Sequence, residues 1–195
     1  MPLLHTGMQY FYLIIFILFT SCSSKKEQQQ SNAVRSIKEM GELATVEYTV
    51  TKIIKASDNK TWFKIGDRKI LMTCEAVIKA GIDLSSVNEN NFTINGKDVS
   101  VTLPPPKVIS LSIPPEKIVT QYVEVGQFRT PFTNKERDAL AAQAEVQIRN
   151  SIDSLGILLQ AKVNTGMLIT NLLKQLGYEN ITIIYSDGKQ IPVLQ

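Results

Sequence analysis

The residues of this chain that could carry chemistry at neutral pH are one histidine, two cysteines and a spread of carboxylates. The histidine, His5, lies in an apolar leader, so the rest of the chain can build no Ser-His-Asp or Cys-His arrangement. A zinc site would have to come from carboxylates with at most Cys74. No Walker loop and no GxGxxG turn is present. We therefore expect no cofactor and no metal, and assign no catalytic residue. Glu42, Glu47, Glu75, Asp83 and Glu124 remain as acids that the fold could bring together. Asp83 stands out because apolar Ile82 and Leu84 flank it. It either caps a turn or short helix or performs acid–base work, and it is a binding candidate.

The two cysteines have different settings. Cys74 lies in "RKILMTCEAVIKA", where Ile70, Met72, Cys74, Ala76 and Ile78 alternate along an expected strand. That spacing puts the thiol on a buried face, where cysteine behaves as a small hydrophobe. Cys22 follows a run from Tyr10 to Phe19 made only of Tyr, Phe, Leu and Ile. Such a run is about half of the roughly 20 residues a spanning helix needs. Phe19, Thr20 and Ser21 then lead into Cys22, and the polar stretch "SSKKEQQQSN" begins at once. This pattern resembles the lipobox of bacterial lipoproteins. The resemblance implies a signal peptide over residues 1–21, cleavage before Cys22 and lipid on its thiol. It also implies that the partner at the N terminus is a membrane. Ser23 in place of aspartate, and no acidic run after it, point to the periplasmic face of the outer membrane.

Cleavage there removes no Lys, Arg, Asp or Glu, so the net charge stays at +3. A balance that small, with basic residues scattered along the chain, argues against a nucleic-acid partner. With Cys22 acylated, Cys74 has no partner for an internal disulfide.

The elements that must position these residues can be read from periodicity. Residues 22–40 read as a lipidated tether, rich in Ser, Lys, Gln and Asn. One domain is expected over 41–195. In "LATVEYTVTKIIKA", Ala44, Val46, Tyr48 and Val50 alternate with polar neighbours, as in a half-buried strand. "SDNK" reads as a turn, "TWFKI" as a second strand, and Arg68 to Ala80 as a third, completing a meander. Asn95-Gly96 predicts a type I′ hairpin, with Val99, Val101 and Leu103 following at period two. Pro104, Pro105 and Pro106 stop ladder pairing and form either a rigid corner or a segment that a partner recognises. "KVISLSI" and "KIVTQYVEV" supply two further strands, parted by Pro114-Pro115.

Thr133 and Glu136 then have capping-box spacing. Leu140, Ala141, Ala144, Ile148, Ile152 and Leu155 share one helical face, and Gly156 sits at the cap. A second helix carries a stripe through Leu158, Ala161, Thr165, Leu168, Ile169, Leu172 and Leu176, closed by Gly177. "NITIIYSDGKQIPVLQ" reads as a strand, an Asp187-Gly188 turn and a closing strand. The expected class is α+β: a mainly antiparallel sheet, two consecutive C-terminal helices, and a closing strand or hairpin.

"LATVEYTVTKII", "KAGIDLS", "VTLPPPKV" and the closing "LLKQLGYENITI" together resemble the bacterial domain of unknown function 4230 family over about residues 40–188. The resemblance implies this fold and an envelope setting, and brings no catalytic residues. The function expected is that of a membrane-anchored envelope lipoprotein, a non-enzymatic module that binds an envelope protein or surface polymer. The competing expectation is a carboxylate-based hydrolase of envelope glycan or lipid. Two acids in a deep pocket would favour the hydrolase; a flat apolar or proline-edged patch would favour binding.

Overall fold

The computed structural model describes residues 24–58 and 66–187. Cys22, the "TWFKI" segment and the closing strand after Asp187 lie outside the described residues. The rest is α+β, with α1 (Ser24–Lys38), β1 (Glu42–Asp58), β2 (Arg68–Asp83), β3 (Phe92–Asn95), β4 (Asp98–Leu103), β5 (Lys107–Ser112), β6 (Ile118–Val125), α2 (Asn134–Ser151), α3 (Ile157–Gln175) and β7 (Asn180–Tyr185) in order. The chain divides into two compact units, one made of Glu42–Asp83 and Pro104–Leu168, the other of the remaining segments.

The larger unit is built on β1 and β2. They pair antiparallel from Glu42↔Asp83 to Asp58↔Arg68, so β1 runs through Ser57 and Asp58, where the sequence suggested a turn. On β2, Ile70, Met72, Cys74, Ala76, Ile78 and Ala80 are all buried, the alternation expected. The other edge of β2 is shared: β6 pairs with Arg68–Cys74 and β5 with Val77–Gly81. β5 and β6 thus act as one long strand, interrupted where Pro114 and Pro115 have no N–H to donate and a 3₁₀ turn forms instead.

α2 packs on the inner face of this sheet. Thr133 and Glu136 form the reciprocal capping box that their spacing predicts. Ala144, Ile148 and Ile152 meet Cys74, Ala76, Ile78 and Ala80 in the core, with Leu140, Ala141 and Leu155 at the margin. Gly156, at φ +69°, separates the two helices.

In α3 the buried stripe is rotated from the expected one. Ala161, Thr165 and Ile169 of that stripe are fully buried, but Ile157 and Leu173 are fully buried in place of Leu158 and Leu172, and Leu168 is 40% exposed. This helix is apolar on most of its faces, so leucine spacing alone does not select the inner one. Thr165 does: its hydroxyl lies 3.2 Å from that of Thr45 on β1. Thr45 also donates to the Ala161 carbonyl. A bulge between Ala44 and Val46 turns Thr45 inward, which leaves Ala44 exposed rather than on the buried side as its alternation suggested.

In the smaller unit β3 and β4 form a hairpin and β7 pairs with β4 in parallel, an arrangement that local patterns do not reveal. Val99, Val101 and Leu103 are buried as expected. The hairpin loop differs from the type I′ turn inferred from Asn95-Gly96. Asn95 pairs with Asp98, so the two central residues are Gly96 and Lys97, and only Gly96 has positive φ. That is the pattern of a type II′ turn. Space around a Cβ at Gly96 is open, so Gly96→Val meets only the backbone penalty of a positive φ, on the order of 1–3 kcal/mol. Thermal unfolding should show the corresponding drop, and an unchanged melting temperature would contradict this turn.

The stretch read as a tether is helical over Ser24–Lys38, with Ala33, Val34 and Ile37 buried within this unit. Gln, Lys, Glu and Arg are good helix formers, and three apolar residues within one turn suffice to dock such a helix.

Cys74 has no exposed surface, and burial pushes its thiol pKa up. It packs with Ile54 and Ala144. Cys74→Ser should therefore lower stability by about 1–3 kcal/mol, because it buries a hydroxyl where the thiol packs against Ile54 and Ala144. Slow reaction with a thiol reagent in the folded protein is the companion result; rapid labelling would contradict it.

Candidate interaction surface

The five acids singled out in the sequence do not form one cluster. Three of them each face a lysine of a neighbouring segment. Glu47 pairs with Lys79 at 3.3 Å, Glu75 with Lys117 at 2.7 Å and Glu124 with Lys69 at 3.4 Å. Such cross-strand pairs are the ordinary way that a solvated sheet face is lined. Glu42 and Asp83 do converge, because they are register partners at the open end of the hairpin. Lys107 sits on both, 2.6 Å from Glu42 and 3.1 Å from Asp83, and its pKa is raised by those two hydrogen bonds, Glu42 first. Asp83 and Glu42 remain 33% and 53% exposed, so this is a solvated salt link.

Asp83 therefore lies beside the segment with which it shared candidate status. Pro104, Pro105 and Pro106 precede Lys107 directly and form the corner before β5. Pro105 is exposed, while Pro104 and Pro106 are partly covered. The sequence singled out these residues separately, and the Lys107 link brings Asp83 to the end of the proline run.

The face of the sheet opposite α2 carries what the sequence reading missed. Register places Ile53, Thr73 and Val119 in one row, Lys55, Leu71 and Tyr122 in the next, and Ser57, Lys69 and Glu124 in a third. Ile53 is 55% exposed, Val119 45% and Tyr122 52%. An open groove of about 470 Å³ runs between Lys55, Ser57, Lys69, Leu71 and Tyr122. Tyr122 donates to Glu124, and this bond, with the carboxylate's charge, raises the pKa of the phenol. The signal available in the sequence was "KIIK": Ile53 and Ile54 are adjacent, so one of them must face outward.

A second constellation holds the far end of the hairpin. Arg68 bonds both carboxylate oxygens of Glu136, reaches Asp58 at 3.3 Å, and lies 4.4 Å over the Phe132 ring. Arg129 also binds Asp58. Two bases and two acids leave no net charge, and their bonds tie the N-terminus of α2 to both strands. Among the described residues, no three His, Cys, Asp or Glu side chains come together as a metal would need, and no helix is long and apolar enough to cross a membrane.

Mostly antiparallel sheets with two consecutive C-terminal helices and a last strand define an α+β protein, and the four-stranded sheet of its larger unit has an exposed outer face. The chain belongs to the family described as a protein of unknown function, DUF4230, whose model matches residues 35–183. Neither the comparison with curated proteins nor that with solved structures found a match.

Proposed function

We propose that this chain is a lipid-anchored protein of the cell envelope, held by Cys22 at the periplasmic face of the outer membrane, whose folded part binds a protein or surface polymer without catalysing a reaction. The observation that carries the binding reading is the outer sheet face, where Ile53, Val119 and Tyr122 stay exposed beside Leu71. Apolar side chains gathered on an open, shallowly grooved face, rimmed by Lys and Glu, suit recognition. Support for the anchor comes from the sequence around Cys22.

A carboxylate-based hydrolase is the alternative, and Glu42 with Asp83 is the pair it would use. An ammonium between two exposed carboxylates makes a neutralised link. A general acid needs a protonated carboxyl in a sheltered pocket. The geometry therefore favours binding.

Native-envelope pull-down with the full chain tests this, comparing wild type with Val119→Asp and Tyr122→Asp. Loss of the same co-purifying component in both variants, with folding retained, supports the reading. Unchanged capture in both would remove this face from consideration.

A further inference from the structure

The outer edge of β1 is an unused pairing surface. β1 pairs with β2 along its whole length and with no other strand among the described residues. At Thr45 its edge is closed, because the Asn164 side chain donates to the Thr45 carbonyl at 2.8 Å. From Val46 to Ser57 no hydrogen bond among the described residues reaches the outer backbone. A row of free N–H and C=O groups that long is a template for another strand.

We propose that the occupant is a second copy of this chain, pairing β1 with β1 antiparallel about a two-fold axis at Thr51. The charge pattern selects both the partner and the register. Past the bulge, the outward face of β1 carries one acid, Glu47, and one base, Lys55. Antiparallel pairing centred on Thr51 sets Glu47 of each copy opposite Lys55 of the other, once on each side of the axis. On the outward face no like charges are set directly opposite each other, and an isologous interface results. Glu47 already meets Lys79 of its own chain, and the second lysine completes a chain of alternating charge.

The same register serves the other side chains. Ile53, 55% exposed, gains Thr49 of the second copy as its neighbour. On the inner face Tyr48 meets Ile54, an aromatic against a β-branched residue. Lys52 falls opposite Val50, and its stem lies along that valine while the ammonium reaches water. The product is one continuous sheet in which the exposed rows of the two copies become a single surface. A homodimer of this kind stands independently of the anchor and of any other ligand.

Disulfide trapping in the full chain, in its native envelope, tests it. Opposed residues in an antiparallel pair lie about 4.5–5.5 Å apart at Cα, within reach of a disulfide. Under mild oxidation Thr51→Cys should give a reducible dimer as the main species, while Ser112→Cys, on β5, should not. Adding Glu47→Lys to Thr51→Cys should cut the trapped fraction severalfold, and adding Lys55→Glu as well should restore it. A monomeric Thr51→Cys protein, equal trapping at Ser112→Cys, or no rescue by the charge swap would each overturn the proposal.

Discussion

Replacing Gly81 by valine is expected to disrupt the open end of the hairpin and to reduce stability more than any other single change considered. A Cβ at this position would overlap the Leu43 carbonyl oxygen and lie 2.7 Å from the Ala44 Cα. Both obstacles are backbone, which cannot rotate away. The close approach belongs to the bulge that turns Thr45 inward to meet Ala161 and Thr165. Restoring room would undo that docking as well. A loss of about 3 kcal/mol or more follows, at the upper end of what overpacking does in a core. Against total stabilities of roughly 5–15 kcal/mol this is a large fraction. Denaturant unfolding of Gly81→Ala and Gly81→Val measures it, with valine the worse of the two. A midpoint unchanged in both variants would contradict the strand register at Gly81.

Arg68→Ala should be the next most damaging substitution. It removes a bidentate contact to Glu136, a bond to Asp58 and the stacking on Phe132 together. The side chain is 14% exposed, so solvent screens only part of the loss, and a fall on the order of 2 kcal/mol is expected. Acid titration provides a second signature. Arg68, then the Thr133 backbone and hydroxyl, lower the Glu136 pKa from 4.5 to about 2. A carboxyl depressed in the folded state adds stability above its ordinary value and loses it as pH falls toward its folded value. In the wild type that contribution fades between about 4.5 and about 2. In Arg68→Ala most of it is missing at neutral pH, so the drop across this window should flatten. An equally steep drop in both proteins would show that Arg68 does not hold Glu136.

Where a short local pattern decides the outcome, the sequence was a sufficient guide. The alternation from Ile70 to Ile78, the Thr133–Glu136 box and the face through Ala144 and Ile148 all depend on residues within one or two turns of each other, and each was found where expected. Three features depend on distant residues and were not legible. The Thr45 bulge is set by Gly81, more than thirty positions away in the chain. The rotation of α3 is set by a hydroxyl on β1. The parallel pairing of β7 with β4 has no local signature. The helical form of residues 24–38 was hidden for a different reason: its apolar residues are few, and a polar composition suits both a helix and a linker.

The candidate surface divides in the same way. Asp83 and the prolines were visible as residue types, but their meeting through Lys107 follows from the pairing of β2 with β5. The exposed row of Ile53, Val119 and Tyr122 needs the register of three strands before it exists at all. Arg68 and Arg129 looked like scattered surface charge until Asp58 and Glu136 came beside them.

Lipid on Cys22 comes first, since a protein fixed to a membrane and presenting an open sheet face is what the proposed function requires. A single acyl chain holds a protein only marginally, whereas two or more, at about 0.8 kcal/mol per buried methylene, hold it stably. Mass spectrometry of the mature N-terminus, on protein extracted from its native envelope, is the direct measurement. Anchoring by lipid predicts a chain that begins at Cys22 with a diacylglyceryl group on its sulfur, and a Cys22→Ser protein that is neither acylated nor cleaved at that site. An unmodified Cys22, or a mature chain that begins elsewhere, would contradict it.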